Sequence, residues 1–228
     1  MDMNIATLFT QDPFIHAVED LYYLYKRDYP EKTAISAVGN RYRLTRAGRM
    51  ILFRGISKLT FEKPVNRVAA ENIADKPLFV DGFNVLITLE SYLKGLPVFQ
   101  GVDGMTRDIA GIHSSYIHSS HSKQALELLG WAIKELSPAY VTILFDSPIS
   151  MSGATAKYAN TLFARLDIPG IAYTERSPDN VLRRAKGIIA TSDTGIIVHN
   201  LPVFDLPGYV IDRKFHKQVH RIPAPETL

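Results

Sequence analysis

The spacing of apolar residues predicts that roughly the first 75 residues are helical. In residues 13–27 apolar side chains recur with the period of an amphipathic helix. A second helix is predicted over residues 31–38 and ends at the Gly39-Asn40 pair, which disfavours helix. A third, basic helix is predicted from near Thr45. A helix, a short turn and a basic helix form the outline of a helix-turn-helix, and a structural or dimerising bundle is the alternative.

After residue 76 the pattern changes to short apolar runs that alternate with amphipathic segments. Strands are predicted at residues 77–80, 140–145, 170–174 and 188–191, with short β candidates at 203–204 and 209–211. Helices are predicted at residues 122–136 and 153–166, and a third starts near Ser177 and closes at Gly187. The Asp81-Gly82 pair predicts a tight turn, and residues 94–120 read as an irregular loop.

This alternation predicts an α/β fold with a Rossmann-like parallel sheet, preceded by a small all-α N-terminal domain. The boundary is expected near residues 72–76. Residues 1–75 would then be the helical domain, and residues 76–228 the α/β domain. Too few apolar residues follow one another anywhere for a membrane span, and the start lacks a secretory pattern, so a cytoplasmic protein is expected.

Three of the predicted strands end in an aspartate: Asp81, Asp146 and Asp193. Asp179 lies at the start of the helix that precedes the last of these strands. Ligands of parallel sheets bind beyond the carboxyl ends of the strands, so the four side chains are expected to converge. Converging carboxylates repel one another unless a hard divalent cation such as Mg²⁺ or Mn²⁺ binds them. The alternative is that each aspartate only caps the next helix or stabilises a turn.

The same residues carry a resemblance to a known family. The run VDGFNV at residues 80–85 resembles the first motif of the NYN branch of PIN-like nucleases, and Phe145-Asp146 resembles their second strand end. The segments SPDNVL at residues 177–182 and IIATSD at 188–193 resemble the paired acidic motifs that close the site. The resemblance covers residues 77–212. Residues 38–44 resemble part of an uncharacterised prokaryotic domain that precedes this one and implies no activity.

The resemblance implies a metal-dependent ribonuclease or related phosphodiesterase. Asp81, Asp146, Asp179 and Asp193 would be catalytic metal ligands for Mg²⁺ or Mn²⁺, and Asn84 would position substrate or a ligand. Many relatives carry further acids where this chain has Asn180 and Gly195. Those departures favour the alternative, a non-catalytic RNA- or DNA-binding protein with a degenerate site. A hydrolase of small phosphoesters is a third hypothesis.

The charge distribution adds a nucleic-acid hypothesis, and the resemblance to ribonucleases favours RNA over DNA as the partner. Residues 26–67 hold eleven Lys and Arg but three Asp and Glu, a local excess of +8 in a chain of net charge +3. Such an excess attracts polyanions. The candidate nucleic-acid contacts are Arg41, Arg43, Arg46, Arg49, Arg54, Arg107 and Lys157. A homo-oligomer stays open.

Cysteine and histidine chemistry is constrained by composition. The chain has no cysteine, which excludes disulfides and thiolate metal sites. His113, His118 and His121 match no common zinc spacing and lie among serines, so a solvated loop is the preferred interpretation.

Overall fold

The N-terminal part of the computed structural model is a group of short helices. The structure describes residues 4–62, 64–109 and 119–224. The first helices are α1 Ile5–Phe9, α2 Asp12–Lys26, α3 Glu31–Arg41, α4 Arg46–Gly55 and α5 Lys58–Glu62, followed by a 3₁₀ turn at Ala70–Asn72. The predicted start of the third helix is confirmed, because the Thr45 side chain accepts the backbone N–H of Gly48 at 3.2 Å and caps α4.

The predicted end of α3 at Gly39-Asn40 is wrong, since the helix continues to Arg41. Gly39 has a packing role there. A Cβ on this residue would lie 2.5 Å from Nη1 of Arg49, so glycine leaves room for that side chain of α4. The glycine therefore reports a close helix–helix contact rather than a helix end.

The α/β region contains seven strands: β1 Pro77–Asp81, β2 Val98–Gln100, β3 Thr106–Asp108, β4 Tyr140–Asp146, β5 Gly170–Glu175, β6 Ile188–Ala190 and β7 Val203–Phe204, all within the described residues. Five of them form a parallel sheet in the order β5-β4-β1-β6-β7. The other two, β2 and β3, form a separate antiparallel pair within the stretch expected to be irregular. The α/β class, the parallel sheet and the small helical N-terminal region are confirmed.

Helices connect and cover these strands: α6 Gly82–Leu93, α7 Ser120–Leu136, α8 Ser152–Leu166, α9 Pro178–Leu182, α10 Thr194–Ile197 and α11 Leu206–Phe215. The tight turn expected after Asp81 is wrong, because α6 starts directly at Gly82. The helix expected to close at Gly187 ends at Leu182. The β candidate at 209–211 is also wrong: Asp205 caps α11, and Pro207 suits its first turn.

The core of the N-terminal helices includes residues from distant parts of the chain. Phe99 of β2 and Ile222 near the C-terminus are buried together with the apolar faces of α2, α3 and α4. A Cβ on Gly55 would overlap Cδ1 of Ile222, so the absence of a side chain on this residue permits the close approach. The backbone N–H of Val102 also donates to the Gly55 carbonyl at 3.0 Å. The end of α4 is thereby held against the α/β region.

Helices of the described residues are all too short or too polar to cross a membrane.

Candidate functional site

A cavity of about 410 Å³ lies where β1, β4 and β6 end. Its lining includes all four aspartates predicted from the strand-end pattern, together with Asn84, and it also includes two of the predicted arginines, Arg54 and Arg107. The remaining lining residues are Glu31, Phe53, Ser57, Leu59, Ser192 and Thr194. The sheet edge therefore gathers the predicted acidic residues, and α4 adds a wall from the N-terminal region.

Asp81 is the most buried carboxyl group of this cavity. Its residue is 6% exposed, and its Oδ2 accepts a hydrogen bond from Oγ1 of Thr191 at 2.8 Å. Burial raises the pKa of Asp81 to about 8, the Thr191 bond opposes the shift, and the nearby charges of Asp193, Asp146 and Asp179 add to it. A carboxyl with such a pKa is in an environment that strongly favours a compensating cation or proton.

Asp193 and Asn84 are held by the loop that follows β6. Oδ1 of Asp193 accepts the Gly195 N–H at 2.8 Å and caps the short helix α10. Oδ1 of Asn84 accepts both the backbone N–H of Ser192 at 2.9 Å and its hydroxyl at 3.0 Å. The capping role expected as the alternative for Asp193 is thus present, and the side chain still lines the cavity. Asn84 ties the first turn of α6 to the end of β6.

Asp146 and Asp179, like Asp193, are partly exposed, whereas Asp81 is buried. Asp146 ends β4, and Asp179 lies in the first turn of α9. The Asp179 side chain is 46% exposed and lies 3.9 Å from Nη2 of Arg183, a weak pair at that exposure. Nε of Arg183 donates to the Gly195 carbonyl at 3.2 Å, which links α9 to α10.

The donor set of the cavity has the chemistry of a hard-cation site, because its carboxylates and the asparagine amide supply oxygen ligands. The spacing of these side chains is less favourable for metal binding. Throughout residues 4–62, 64–109 and 119–224, no three His, Cys, Asp or Glu side chains are grouped closely enough to hold a metal ion. Binding one ion directly by three of these carboxylates would therefore require the aspartate side chains to move together, whereas one or two carboxylates with water ligands would not.

Arg107, predicted to contact phosphate, has a structural role in this conformation. Its Nε and Nη2 donate to the Ser192 carbonyl, its Nη1 and Nη2 donate to the Asp103 carboxylate, and its Nη1 also contacts the Met105 carbonyl. Those five bonds use all five guanidinium donors. The side chain is 3% exposed. Arg107 therefore fixes the loop that carries Ser192 and has no donor to spare for a ligand.

Arg54 differs from Arg107, although both line the cavity. It comes from α4, its side chain is 19% exposed, and its Nη1 lies 3.5 Å from Oδ1 of Asp108. Asp108 is buried and also accepts the Thr88 hydroxyl at 3.1 Å. Burial lowers the pKa of the Arg54 guanidinium, and the Asp108 charge opposes that shift. Arg54 thus brings a cation to the acidic cavity with one long ion pair among its described contacts.

The other predicted nucleic-acid residues lie outside this cavity. Arg41, Arg43, Arg46 and Lys157 are exposed, and Arg41 lies 3.4 Å from Asp20. Arg49 is half-buried and donates to the carbonyls of Gly39 at 2.7 Å and Leu44 at 3.1 Å. His121 belongs to α7, whereas His113 and His118 lie outside the described residues.

Sequence reasoning missed several lining residues, notably Phe53, Leu59 and Glu31. All three belong to the N-terminal helices. Helical periodicity assigns inner and outer faces, but it does not indicate which outer residues meet a distant sheet edge. The signal available in the sequence was the run of four apolar residues from Met50 to Phe53, which cannot all face one core, and it is weak because single exposed apolar residues are common.

These features define an α/β protein whose acid-lined cavity is completed by an N-terminal helical region. The chain belongs to a family described as a domain of unknown function (DUF5616), which matches residues 70–209. A second family, described as a protein of unknown function (DUF434), matches residues 13–63. An uncharacterized protein of Methanocaldococcus jannaschii is 31% identical over 186 residues, which are 79% of this chain and 87% of that protein. No solved structure matches the chain.

Proposed function

We propose that the protein is a Mg²⁺- or Mn²⁺-dependent ribonuclease or related phosphodiesterase of the PIN/NYN-like type. The observation that carries the proposal is the gathering of Asp81, Asp146, Asp179 and Asp193 around one cavity. The strand order supports it: taken along the chain, the five sheet strands are arranged 3-2-1-4-5, as in Rossmann-like folds. The cavity lies at the ends of the strands where this order reverses, between β1 and β6.

Each aspartate has an assigned part in this proposal. Asp81, Asp146 and Asp193 would hold the ion, and Asp179 would bind directly or through water. The ion, when bound, polarises a phosphoryl oxygen and lowers the pKa of bound water. Asp81 supplies the most buried carboxyl, so removing its charge should weaken ion binding most.

The remaining side chains of the cavity would position the substrate. Oδ1 of Asn84 is occupied by Ser192, and its Nδ2, without a partner among the described residues, would donate to a phosphate or ribose oxygen. Arg54 would neutralise a phosphate beside the acidic group, since a guanidinium matches phosphate geometry. The exposed Arg41, Arg43 and Arg46 and, more distantly, Lys157 would contact the strand outside the cavity.

A second candidate is a non-catalytic RNA- or DNA-binding protein with the same fold. The favouring observation is that the described acidic side chains are not grouped for metal binding. Asp193 caps α10, and Asn180 and Gly195 stand where many PIN/NYN-like relatives have acids. The two candidates share the nucleic-acid ligand and differ in ion binding and cleavage.

The deciding experiment measures Mn²⁺ binding and RNA cleavage for wild type and Asp81→Asn. Calorimetry should show Mn²⁺ binding to wild type and its loss in the variant, because the substitution keeps the size and removes the charge. Cleavage of an end-labelled single-stranded RNA should require Mn²⁺ or Mg²⁺, stop with chelator and fall below detection in Asp81→Asn.

Asp75→Asn is the matched control. Asp75 is exposed, and its φ of 60° is one that asparagine tolerates. This variant should retain metal binding and cleavage. Wild type that binds RNA without binding Mn²⁺ or cleaving would establish the second candidate, and full activity in Asp81→Asn would overturn the assigned site.

A further inference from the structure

Phe53 of α4 presents an exposed aromatic ring. The two preceding residues, Ile51 and Leu52, are fully buried in the helical core, whereas Phe53 is 45% exposed. Its position, rather than its exposure alone, is informative. Phe53 lines the acidic cavity at the end of the sheet and also a second cavity of about 350 Å³ on the N-terminal helices. One aromatic ring thus stands at the boundary between the two cavities.

The second cavity has the opposite electrostatic character. Beside Phe53 it is lined by Lys32, Arg46 and Arg49, and no carboxylate takes part in its described lining. The rest of the lining is largely apolar, with Ile35 and Met50. Arg49 keeps its place because its guanidinium donates to the carbonyls of Gly39 and Leu44. An apolar floor with three cationic side chains around it, of which Arg49 is held in place, suits a ligand that combines flat apolar groups with phosphates.

We propose that Phe53 is a stacking platform for an unpaired base of a single-stranded nucleic acid. The strand would lie with its phosphates along Lys32 and Arg46 and pass Phe53 toward Arg54 and the acidic cavity. Single-stranded binding sites join a basic groove with aromatic faces in this way. Bases in a duplex are stacked on their neighbours, so a lone protruding ring favours the single strand. This inference rests on the proposed function for its ligand class. It adds that the nucleic acid is single-stranded and that it runs past Phe53 to the acidic cavity.

The test measures binding by fluorescence anisotropy in the presence of EDTA, so that it does not depend on metal or cleavage. The probes are labelled single-stranded RNA and DNA of one sequence, the corresponding duplexes, and a single strand with abasic positions. Wild type should prefer single strands over duplexes and bases over abasic positions. Phe53→Ala should weaken single-strand binding by roughly 5-fold or more, since stacking contributes about 1–3 kcal/mol per base.

Two further variants separate stacking from simple apolar contact. Phe53→Trp keeps an aromatic face and should retain binding. Phe53→Leu keeps apolar bulk without that face and should bind like Phe53→Ala. Tyr23→Ala is the control, because Tyr23 is another exposed aromatic residue of the N-terminal helices, 54% exposed, and lines neither cavity. It should bind as wild type does.

Abasic positions give the sharpest readout. If the ring stacks on a base, Phe53→Ala should lose the preference of wild type for the normal strand over the abasic one. Equal affinity of Phe53→Ala and wild type, an equal loss in Tyr23→Ala, or no oligonucleotide binding by wild type would each overturn the inference. Failure of the proposed nuclease function appears separately, as absent Mn²⁺ binding and cleavage while the stacking preference in EDTA persists.

Discussion

The sheet edge and the N-terminal helices differ in charge and in what positions their charged side chains: the sheet edge is acidic, and the helices are basic. At the sheet edge, acids follow strand ends or begin helices, so the backbone itself brings Asp81, Asp146 and Asp193 to one side of the sheet. On α3, α4 and the turn between them, the arginines are long side chains whose contacts depend on packing. Arg46 is exposed, Arg49 binds backbone carbonyls and Arg54 reaches the acidic cavity. Position along the backbone therefore predicts the location of short side chains better than it predicts the contacts of long ones.

Arg107 offers the strongest test of this comparison, because it is a long cation within the acidic region. Replacing it in Arg107→Met leaves the buried Asp103 carboxylate and the Ser192 carbonyl without their partner. Loss of one partner of a buried ion pair typically costs about 3–5 kcal/mol, so the free energy of unfolding should fall by about that amount. Urea denaturation measures it.

Arg41→Met is the control, because the Arg41 side chain is 72% exposed and its ion pair with Asp20 is weak. Its expected cost is about 0–1 kcal/mol. An equally small cost for Arg107→Met would show that the buried arginine does not hold the loop, and Arg107 would again be a candidate for phosphate binding.

The stability of the metal-free protein should depend on pH because of Asp81 in the acidic cavity. The folded-state pKa of Asp81 is raised to about 8, so the folded protein holds a proton that the unfolded chain releases near the ordinary carboxyl range. Wild-type stability is therefore lost as pH rises toward 8, by up to about 1.4 kcal/mol per pH unit from this group. Asp81→Asn removes that contribution. With EDTA present, its stability relative to wild type should increase between pH 5 and pH 8.

Denaturation of both proteins at several pH values gives the comparison, with Asp75→Asn as the exposed control. A stability difference that is constant across this range would mean that Asp81 is ionised in the folded protein. The acids would then be compensated by something other than a proton on this residue.

Much of the sheet followed from sequence because its strands are short apolar runs bounded by turn residues. The strand ends at Asp81 and Asp146 were predicted for the same reason, whereas β6 ends at Ala190 and Asp193 follows it as the N-cap of α10. α6 was missed, since nine of its twelve residues are buried and it lacks the polar face that marks an amphipathic helix. The β2–β3 pair was missed because each strand has three residues.

The hydrogen-bond partners of side chains could not be predicted from the pattern of apolar and polar residues. Asp205 accepts the Thr106 N–H at 3.0 Å and its hydroxyl at 2.7 Å, although the two residues are 99 positions apart. The same limit applies to the lining of the acidic cavity by Phe53 and Leu59. Such contacts depend on how α4 packs against β2 and against the segment around Ile222, and the local period of apolar residues does not encode this packing.

The smallest expected effects are those that distinguish Arg46 from Arg49. The two residues lie on the same helix, and the sequence predicted that both contact nucleic acid. Arg49→Ala removes two hydrogen bonds to the carbonyls of Gly39 and Leu44, so the free energy of unfolding should fall by about 1–2 kcal/mol. Arg46→Ala removes an exposed side chain and should change stability by at most about 0.5 kcal/mol. Urea denaturation of the two variants measures this difference.

Nucleic-acid binding should reverse the order of the two variants. An exposed guanidinium that meets a phosphate releases a counterion, so Arg46→Ala should reduce the slope of log affinity against log salt by about one unit. Arg49→Ala should change the slope less, because two of its three guanidinium nitrogens already donate to the backbone. A salt titration of single-stranded RNA binding measures both. If both variants have the same slope as wild type, the arginines of α4 do not contact phosphate groups. The arginines of α4 would then serve only to pack the helices and to complete the cavity at the sheet edge.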